Sequence, residues 1–258
     1  MSLTDEFTSG QQAMLQTTNL RKTFDGVVAL EGLNISVKPG ETLCLLGANG
    51  AGKTTTINLL LGFLEPTSGE AFVNGRNVAE EPVETKRDLA YIPEQVALYP
   101  SLSGLENLKY FAALAGQDSY SDADLYAFIE RSGLSKEQAD RSVSAYSKGM
   151  RQKIGVATAL AKQAKAFLLD EPLSGLDPSA ANEFARLAGE LRASGAAILM
   201  ATHDIFRATE LASRIGIMKA GQLVEELDPQ ALHGKEIEAI YLNHMRTDHA
   251  APAKGAAA

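Results

Sequence analysis

A glycine-rich segment, GANGAGKTT at residues 47–55, carries the clearest chemical pattern in this chain, and we call it the glycine loop. It matches G-x-x-x-x-G-K-[ST], in which glycines let the backbone wrap closely around phosphates. Successive N–H groups at a helix N-terminus then attract the anion. Lys53 is expected to reach the β- and γ-phosphates, and the Thr54 hydroxyl to ligate Mg²⁺. The segment therefore predicts a nucleoside triphosphate site. The loop residues expected to contact the nucleotide are Gly47, Asn49, Gly50, Gly52, Lys53, Thr54 and Thr55.

Two adjacent carboxylates end the apolar segment AFLLDEP at residues 166–172. Because side chains alternate along a strand, Asp170 and Glu171 are expected to point to different sides. Asp170 is predicted to hold the hydration shell of Mg²⁺, and Glu171 to orient or deprotonate an attacking water. In isolation such a pair more often marks a solvated acidic turn. Beside a phosphate-binding loop, it favours hydrolysis of the bound triphosphate.

A histidine follows another apolar segment in ILMATHD, at position 203. A lone histidine is more often structural than catalytic. His203, however, is expected at the C-terminal end of a parallel strand, where α/β proteins bind their ligands. It is therefore a candidate to contact the γ-phosphate and the attacking water.

The elements that must position these residues can be read from hydrophobic periodicity. Alternating runs between residues 14 and 38 predict antiparallel strands, and TLCLL predicts a buried strand before the glycine loop. A helix is expected from about residue 53 to 62. Farther along, strands such as AFLLD and AAILMAT alternate with helices, which is typical of a parallel sheet. The expected fold is α/β, a P-loop NTPase core with a mostly parallel sheet and an N-terminal antiparallel β subdomain.

The middle of the chain has a different character, with helical patterns in LSGLENLKYFAALAG and DADLYAFIERSGL. These segments predict an inserted α-helical subdomain over about residues 94–165. The ATP-binding domain as a whole is expected to span residues 13–233. A flexible lead-in is expected at 1–12, and a C-terminal helix with a disordered Ala-rich tail at 234–258.

Composition limits the classes of function. The chain has 258 residues, 45% hydrophobic, which is enough for a large core without disulfides, and its single cysteine, Cys44, is expected to be buried. The formal net charge of −8 argues against a nucleic-acid partner, because a phosphate backbone requires a basic surface. No apolar run approaches the length of about 20 residues that spans a bilayer.

The order of these motifs resembles one family, the ATP-binding subunits of ABC transporters. The resemblance covers roughly residues 14–225 and includes YSKGMRQK, LLDEP, SGLD and THD after the glycine loop. Residues 146–150, YSKGM, stand where that family carries its signature, usually written LSGGQ, and we call them the signature segment. Ser147 and Gly149 are kept, whereas Lys148 replaces the first glycine. This departure is similar to ATPase subunits of bacterial exporters whose permease is a separate chain.

The resemblance implies further ligand-contacting residues. Phe24 is expected to stack on adenine, and Ser147 and Gly149 to face the γ-phosphate of a second subunit. A helix start at Ser147 suits an anion, and Lys148, Arg151 and Lys153 add positive charge. Asp177, in SGLD, belongs to a loop expected to link two sites across a dimer. In YIPEQVALYP, either Glu94 or Gln95 fills the position of a glutamine that contacts Mg²⁺, and the register slightly favours Glu94.

The resemblance implies an ATPase that drives a transporter, with an exporter favoured over an importer. ATP and Mg²⁺ are the expected cofactors, bound between two head-to-tail ATP-binding subunits that form a homodimer or a heterodimer. An integral membrane permease is the expected partner, which would hold the chain at the cytoplasmic face of the membrane. Two alternatives remain: a soluble ABC-type ATPase acting on ribosomes, DNA or metal-cluster assembly, and a small-molecule kinase. The kinase would explain the glycine loop but not the signature segment.

Overall fold

The computed structural model describes residues 12–232 and 234–246. Two β-sheets and a group of helices make up the described chain. The predicted lead-in lies outside the described residues except for Gln12, and the predicted Ala-rich tail after residue 246 also lies outside them. The predicted α/β fold, with an antiparallel N-terminal sheet and a mostly parallel core sheet, is confirmed.

The N-terminal sheet is antiparallel and has the strand order β2-β1-β4-β5. A tight turn at Asp25-Gly26 joins the first two strands, and both residues have positive φ, 44° and 85°. Such a turn matches the right-handed twist of the strands that it connects. The four strands are β1 Leu15–Phe24, β2 Val27–Val37, β4 Ser68–Val73 and β5 Arg76–Asn77.

The core sheet has the order β10-β9-β3-β8-β7-β6, parallel except for the hairpin that pairs β10 with β9. Every residue of its three central strands is buried, as expected for a sheet covered on both faces. Cys44 lies in one of them and is buried as predicted. The strands are β3 Thr42–Leu46, β6 Leu89–Ile92, β7 Ala166–Asp170, β8 Ala197–Thr202, β9 Arg214–Lys219 and β10 Gln222–Leu227.

The helical segment between β6 and β7 has a hydrophobic core of its own, which includes Leu108, Ile129 and Ile154. Three of its helices start with a capping box, at Ser103, Ser121 and Ser135, in which a serine and the side chain three residues later satisfy each other's backbone N–H groups. The helices are α3 Gly104–Leu114, α4 Asp122–Arg131, α5 Lys136–Ala139 and α6 Lys148–Ala161.

The other helices surround the core sheet. Asp177 caps α7 by accepting hydrogen bonds from the backbone of Ser179 and Ala180, with Pro178 at the first helical position. A helix over Pro82–Asp88 was not expected from the sequence, because its polar residues show no hydrophobic period. The helices are α1 Lys53–Leu60, α2 Pro82–Asp88, α7 Pro178–Ala193, α8 Ile205–Leu211 and α9 Gly234–Arg246.

Candidate nucleotide site

The glycine loop connects β3 to α1, and its glycines are required by close packing. A Cβ atom added at Gly47 would lie 2.4 Å from the Met218 carbonyl oxygen. One added at Gly52, which has φ +102°, would lie 2.7 Å from the Leu30 side chain. Real side chains do not tolerate such distances, so these positions accept only glycine. The loop is therefore pressed against β9 and β2 on one side, while Asn49 and Gly50 remain exposed on the other.

Lys53 is the first residue of α1 and is 94% buried, with 6% of its surface exposed. Its Nζ donates hydrogen bonds to the carbonyl oxygens of Gly47 and Ala48 at 2.7 and 3.1 Å. Burial lowers the pKa of Lys53, and the negative charges of Glu171 and Asp170 oppose that shift. The ammonium group therefore lies against the loop backbone, with two carboxylates close enough to stabilise its charge.

Thr54 and Asp170 come together although they are 116 positions apart. The Thr54 hydroxyl donates to Asp170 Oδ1 at 3.2 Å, and the Asp170 carboxyl is almost fully buried. Burial raises the pKa of Asp170, the Thr54 hydrogen bond and the Lys53 charge lower it, and the charges of Glu171 and Glu94 raise it further. A hydroxyl and a carboxylate in contact are suitable oxygen ligands for Mg²⁺.

Glu171 lies just beyond the end of β7, so the prediction that strand alternation sets its orientation is wrong. The strand ends at Asp170, and Glu171 has φ 46°, a left-handed conformation that turns its side chain independently of strand alternation. Its Oε1 lies 2.8 Å from His203 Nδ1, and its Oε2 accepts a 3.2 Å hydrogen bond from the Thr202 hydroxyl. The carboxylate is thus held at two points, and His203 and Glu171 meet as neighbouring groups.

Thr202 is the residue in this arrangement that the sequence did not single out. Its hydroxyl donates to Glu171 and accepts a hydrogen bond from the backbone N–H of Asp204 at 3.1 Å. No spacing pattern marks it, and only its position next to His203 in ATHD could have suggested a role.

Glu94, rather than Gln95, faces the carboxylate pair. Glu94 Oε1 accepts hydrogen bonds from Lys148 Nζ at 3.4 Å and from the Ser174 hydroxyl at 3.1 Å. Its charge also contributes to the raised pKa of Asp170. Gln95 is exposed and makes no side-chain hydrogen bond within the part of the chain that the structure describes. The geometry therefore favours Glu94 for the position of the glutamine.

The signature segment forms the start of α6. Ser147 is the N-cap, accepting a 3.3 Å hydrogen bond from the Met150 N–H, and it is exposed. Gly149 lies where an added Cβ would be 3.6 Å from Leu176 and from Ala180. Among the described residues, no hydrogen bond joins Ser147 or Gly149 to the glycine loop. Within the described part of one chain, the two predicted phosphate-binding segments are therefore not joined by a hydrogen bond.

Two of the three basic residues expected to add charge at the signature segment turn elsewhere. Lys153 forms an ion pair with Glu183 and donates to the Gly133 carbonyl, and Arg151 donates to the Val143 carbonyl. Arg151 therefore contacts the helical segment itself, and Lys153 connects that segment to α7, where Glu183 lies. Lys148 is the exception, because it reaches the loops around the carboxylates.

Phe24 ends β1 with 41% of its surface exposed, and the Lys22 ammonium lies 5.0 Å from its ring centroid. An exposed ring with a cation at its face is not a core residue. It is available for contact with a flat, electron-rich ligand.

Some negative findings limit the site. Within residues 12–232 and 234–246, no group of three or more His, Cys, Asp or Glu side chains could hold a metal ion by itself. Over the same residues, none of the helices has the length and apolar character needed to cross a bilayer. A Mg²⁺ ion at Thr54 and Asp170 would thus need phosphate or water oxygens to complete its coordination.

A strand, a glycine loop and a helix, with a buried carboxylate at the end of β7, two strands away in the same sheet, define a P-loop NTPase. A family model described as ABC transporter matches residues 30–174, which is more than half of the chain. The chain belongs to the ABC transporter family as an ATP-binding subunit, and it is an ATPase. Subunits of this kind work with membrane permease components and form dimers.

Relatives of this chain are ATP-binding proteins named for resistance to, or transport of, chemically different compounds. A linearmycin resistance ATP-binding protein of Bacillus subtilis (strain 168) is 31% identical over 82% of this chain and 68% of its own length. A bacitracin transport ATP-binding protein of Bacillus licheniformis is 35% identical over 91% of this chain and 76% of its own length. A carnitine transport ATP-binding protein of Listeria monocytogenes is 35% identical over 82% of this chain and 54% of its own length.

Solved structures agree with this assignment. An ATP-binding subunit of an ABC transporter superposes with a TM-score of 0.80 and 28% identity, over 90% of this chain and all of the other. A dimeric ATP-binding cassette in a post-hydrolysis state, bound to ADP and Pi, superposes with a TM-score of 0.75 and 25% identity. That match covers 84% of this chain and 99% of the other.

Proposed function

We propose that this chain hydrolyses ATP as a head-to-tail dimer and energises an exporter through a separate permease chain. The observation that carries the proposal is the exposed start of α6. Ser147 is an exposed helix N-cap, and among the described residues it makes no hydrogen bond to the glycine loop of its own chain, which leaves it available to a phosphate bound by a second subunit. The dimeric state of the solved cassette bound to ADP and Pi supports this arrangement.

The residues present fit ATP and Mg²⁺. Gly47 and Gly52 leave no room for side chains, and the N–H groups of Asn49 and Gly50 make no hydrogen bond among the described residues, so they are available to phosphates. Lys53 would bind the β- and γ-phosphates, and Thr54 with Asp170 would hold Mg²⁺, which neutralises phosphate charge. Glu94 is the further proposed metal contact, and Gln95 is the less suitable candidate because, among the described residues, no hydrogen bond holds its side chain, whereas Lys148 and Ser174 hold Glu94. Phe24 would stack on adenine.

Glu171 is the proposed general base. Thr202 and His203 fix both of its oxygens, so the carboxylate is oriented before a water arrives. His203 would contact the γ-phosphate from the same edge of the sheet. Asp177, which caps α7 with one oxygen, would link the two sites across the dimer.

Export is favoured by the departure of the signature segment from LSGGQ, and the relative named for linearmycin resistance is in keeping with it. The carnitine relative shows that similar subunits also serve other transporters. We propose the cytoplasmic face of the membrane as the location, with the chain held there by its permease. The proposed ATP-binding domain spans residues 13–233, including the helical subdomain at about 94–165, and C-terminal sequence follows at 234–258.

The substitution Glu171→Gln tests both the catalytic role and the dimer. It should keep ATP binding, reduce hydrolysis by at least ~10²-fold, and accumulate an ATP-bound dimer visible by light scattering. The matched control is Glu171→Gln combined with Ser147→Arg, which should bind ATP but remain monomeric because a bulky cation blocks the interface.

Three results would contradict the proposal. Hydrolysis by Glu171→Gln at the wild-type rate would remove the role given to Glu171. A monomer at saturating ATP in that variant would remove the dimer. Stoichiometric transfer of phosphate to a small molecule, without dimerisation, would favour the kinase alternative.

A further inference from the structure

Two departures from the family pattern meet each other in the structure. Glu94 is the residue proposed for the position of a glutamine, and Lys148 stands where the family has the first signature glycine. Although they are 54 positions apart, Lys148 Nζ lies 3.4 Å from Glu94 Oε1 as an ion pair. Glu94 thus brings a negative charge where the family has a neutral glutamine, and it faces Lys148, which brings a positive charge where the family has a glycine.

The Lys148 side chain is directed at this pair by its surroundings. A Cβ atom added at Gly175 would lie 3.5 Å from Lys148 Nζ and 3.6 Å from its Cδ, so the lysine side chain lies across the loop that precedes α7. Ser174 in that loop donates its hydroxyl to the same Glu94 oxygen at 3.1 Å. Glu94 therefore joins three segments: the loop after β6, the start of α6, and the loop before α7.

The charges around the proposed ATP site indicate what the ion pair between Lys148 and Glu94 does. Asp170 and Glu171 already place two carboxylates at the proposed ATP site, with Lys53 as their cation. Glu94 lies near enough to Asp170 for its charge to act on that carboxylate. A third negative charge would repel the phosphates of an incoming nucleotide, and an ion pair with a lysine cancels most of that repulsion.

We infer that Lys148 is a charge-compensating and positioning residue for nucleotide binding within its own chain, matched to Glu94. Its ammonium group neutralises the carboxylate that replaces the glutamine and holds that carboxylate beside the metal-binding residues. The inference rests on the proposed ATP site, but it does not require the dimer, because both partners belong to one chain.

A double-mutant cycle on the monomer tests the pairing. The four proteins are the wild type, Lys148→Met, Glu94→Gln, and the double variant, and the measurement is equilibrium binding of ADP with Mg²⁺ by calorimetry. Lys148→Met should weaken binding roughly three- to fivefold, the range of a partly exposed ion pair. Glu94→Gln can change the Kd by itself, because Glu94 is a proposed metal contact, but adding Lys148→Met to Glu94→Gln should change the Kd by less than about twofold.

The readout separates charge compensation from a merely structural role. Lys148→Arg should bind as the wild type, because it keeps the charge and the reach of the side chain. The effect of Lys148→Met should shrink as salt rises from about 0.05 to 0.5 M, since screening weakens the uncompensated repulsion. If the loss of ADP affinity in Lys148→Met does not depend on salt, the inference is wrong.

A matched control exists in the helical segment. Lys109 and Asp122 form an exposed ion pair at 2.9 Å and contact none of the proposed site residues. Lys109→Met should leave the Kd for ADP unchanged. If Lys148→Met binds as the wild type, or if Lys148→Met weakens binding as much in the Glu94→Gln background as in the wild type, the inference is wrong. Because dimerisation plays no part in the measurement, such a result leaves the Glu171→Gln experiment as the separate test of the proposed function.

Discussion

Asp170 is a buried carboxyl group whose ionised form is disfavoured in the nucleotide-free chain. Burial raises its pKa above the ordinary value of 3.8, and the charges of Glu171 and Glu94 act in the same direction. Between the unfolded and the folded pKa of Asp170, the folded chain binds more protons than the unfolded chain. The free energy of unfolding therefore falls as pH rises through that interval. This destabilisation by the ionised Asp170 is absent below pH 3.8 and complete above the folded pKa. At neutral pH, the buried carboxylate therefore lowers the stability of the chain.

Asp170→Asn should therefore stabilise the nucleotide-free chain at pH 7. The amide keeps an oxygen that accepts the Thr54 hydrogen bond and removes the charge. A gain on the order of 1 kcal/mol corresponds to about 2–4 °C in Tm for a chain of this size. Thermal unfolding with and without Mg²⁺ and ATP is the measurement. The added stabilisation by nucleotide should shrink in the variant, and a lower Tm without nucleotide would contradict the prediction.

At the same scale, the sequence predicted the chemistry of single residues better than their contacts. Lys53, Thr54 and Asp170 were identified by type and spacing, and the structure brings them together. The contact between Thr202 and Glu171 joins positions 31 apart, and the bond between Ser174 and Glu94 joins positions 80 apart. Such contacts depend on how strands and loops are arranged in three dimensions, and no local pattern in the sequence encodes them.

Two glycines inside helices differ in a way that separates helix propensity from packing. A Cβ atom added at Gly189, inside α7, meets nothing within 4 Å, whereas one added at Gly155, inside α6, lies 3.0 Å from Val96. Gly155 is therefore where the loop after β6 packs closely on α6. Gly189 has no such reason to remain glycine.

Gly189→Ala should raise the free energy of unfolding by about 0.5–1 kcal/mol, because alanine loses less backbone entropy in a helix. The measurement is chemical denaturation, in which an unchanged m value shows that a shift of the midpoint reports a change in stability. Gly155→Ala is the matched control, and it should gain less or lose stability, because Val96 must move by a few tenths of an ångström. An equal gain at both positions would show that the contact with Val96 imposes no constraint.

Prediction at the level of elements depended on how strong the local signal was. The buried strands around residues 42–46 and 166–170 were recognisable as apolar runs, and the start of α7 by Asp177-Pro178. The helix Pro82–Asp88 was missed, because it is short and polar and begins in a segment without apolar periodicity. Pro82 at its first position and Lys86 with Arg87 in its last turn are the signals that could have indicated it.

On the scale of the whole molecule, the nucleotide site draws on both parts of the chain. The core sheet supplies the glycine loop, Asp170 and Glu171, whereas the helical segment supplies Lys148 and, for the proposed second subunit, Ser147. The Lys148–Glu94 pair and the Lys153–Glu183 pair connect the two parts. A movement of the helical segment relative to the sheet would therefore change the contacts of the proposed site directly, which provides a physical route from nucleotide state to a partner.

The identity of that partner distinguishes the transporter from the ribosome, DNA or metal-cluster alternative. The formal net charge of −8 argues against the nucleic-acid alternatives, because binding to a phosphate backbone requires a basic surface. A tagged chain purified from detergent-solubilised membranes should therefore bring down an integral membrane protein in stoichiometric amount. Nuclease treatment and a wash at about 0.5 M salt are the controls, since they remove partners held through phosphate backbones. Stable recovery with ribosomes or DNA after these washes, without a membrane protein, would replace the transporter by the alternative.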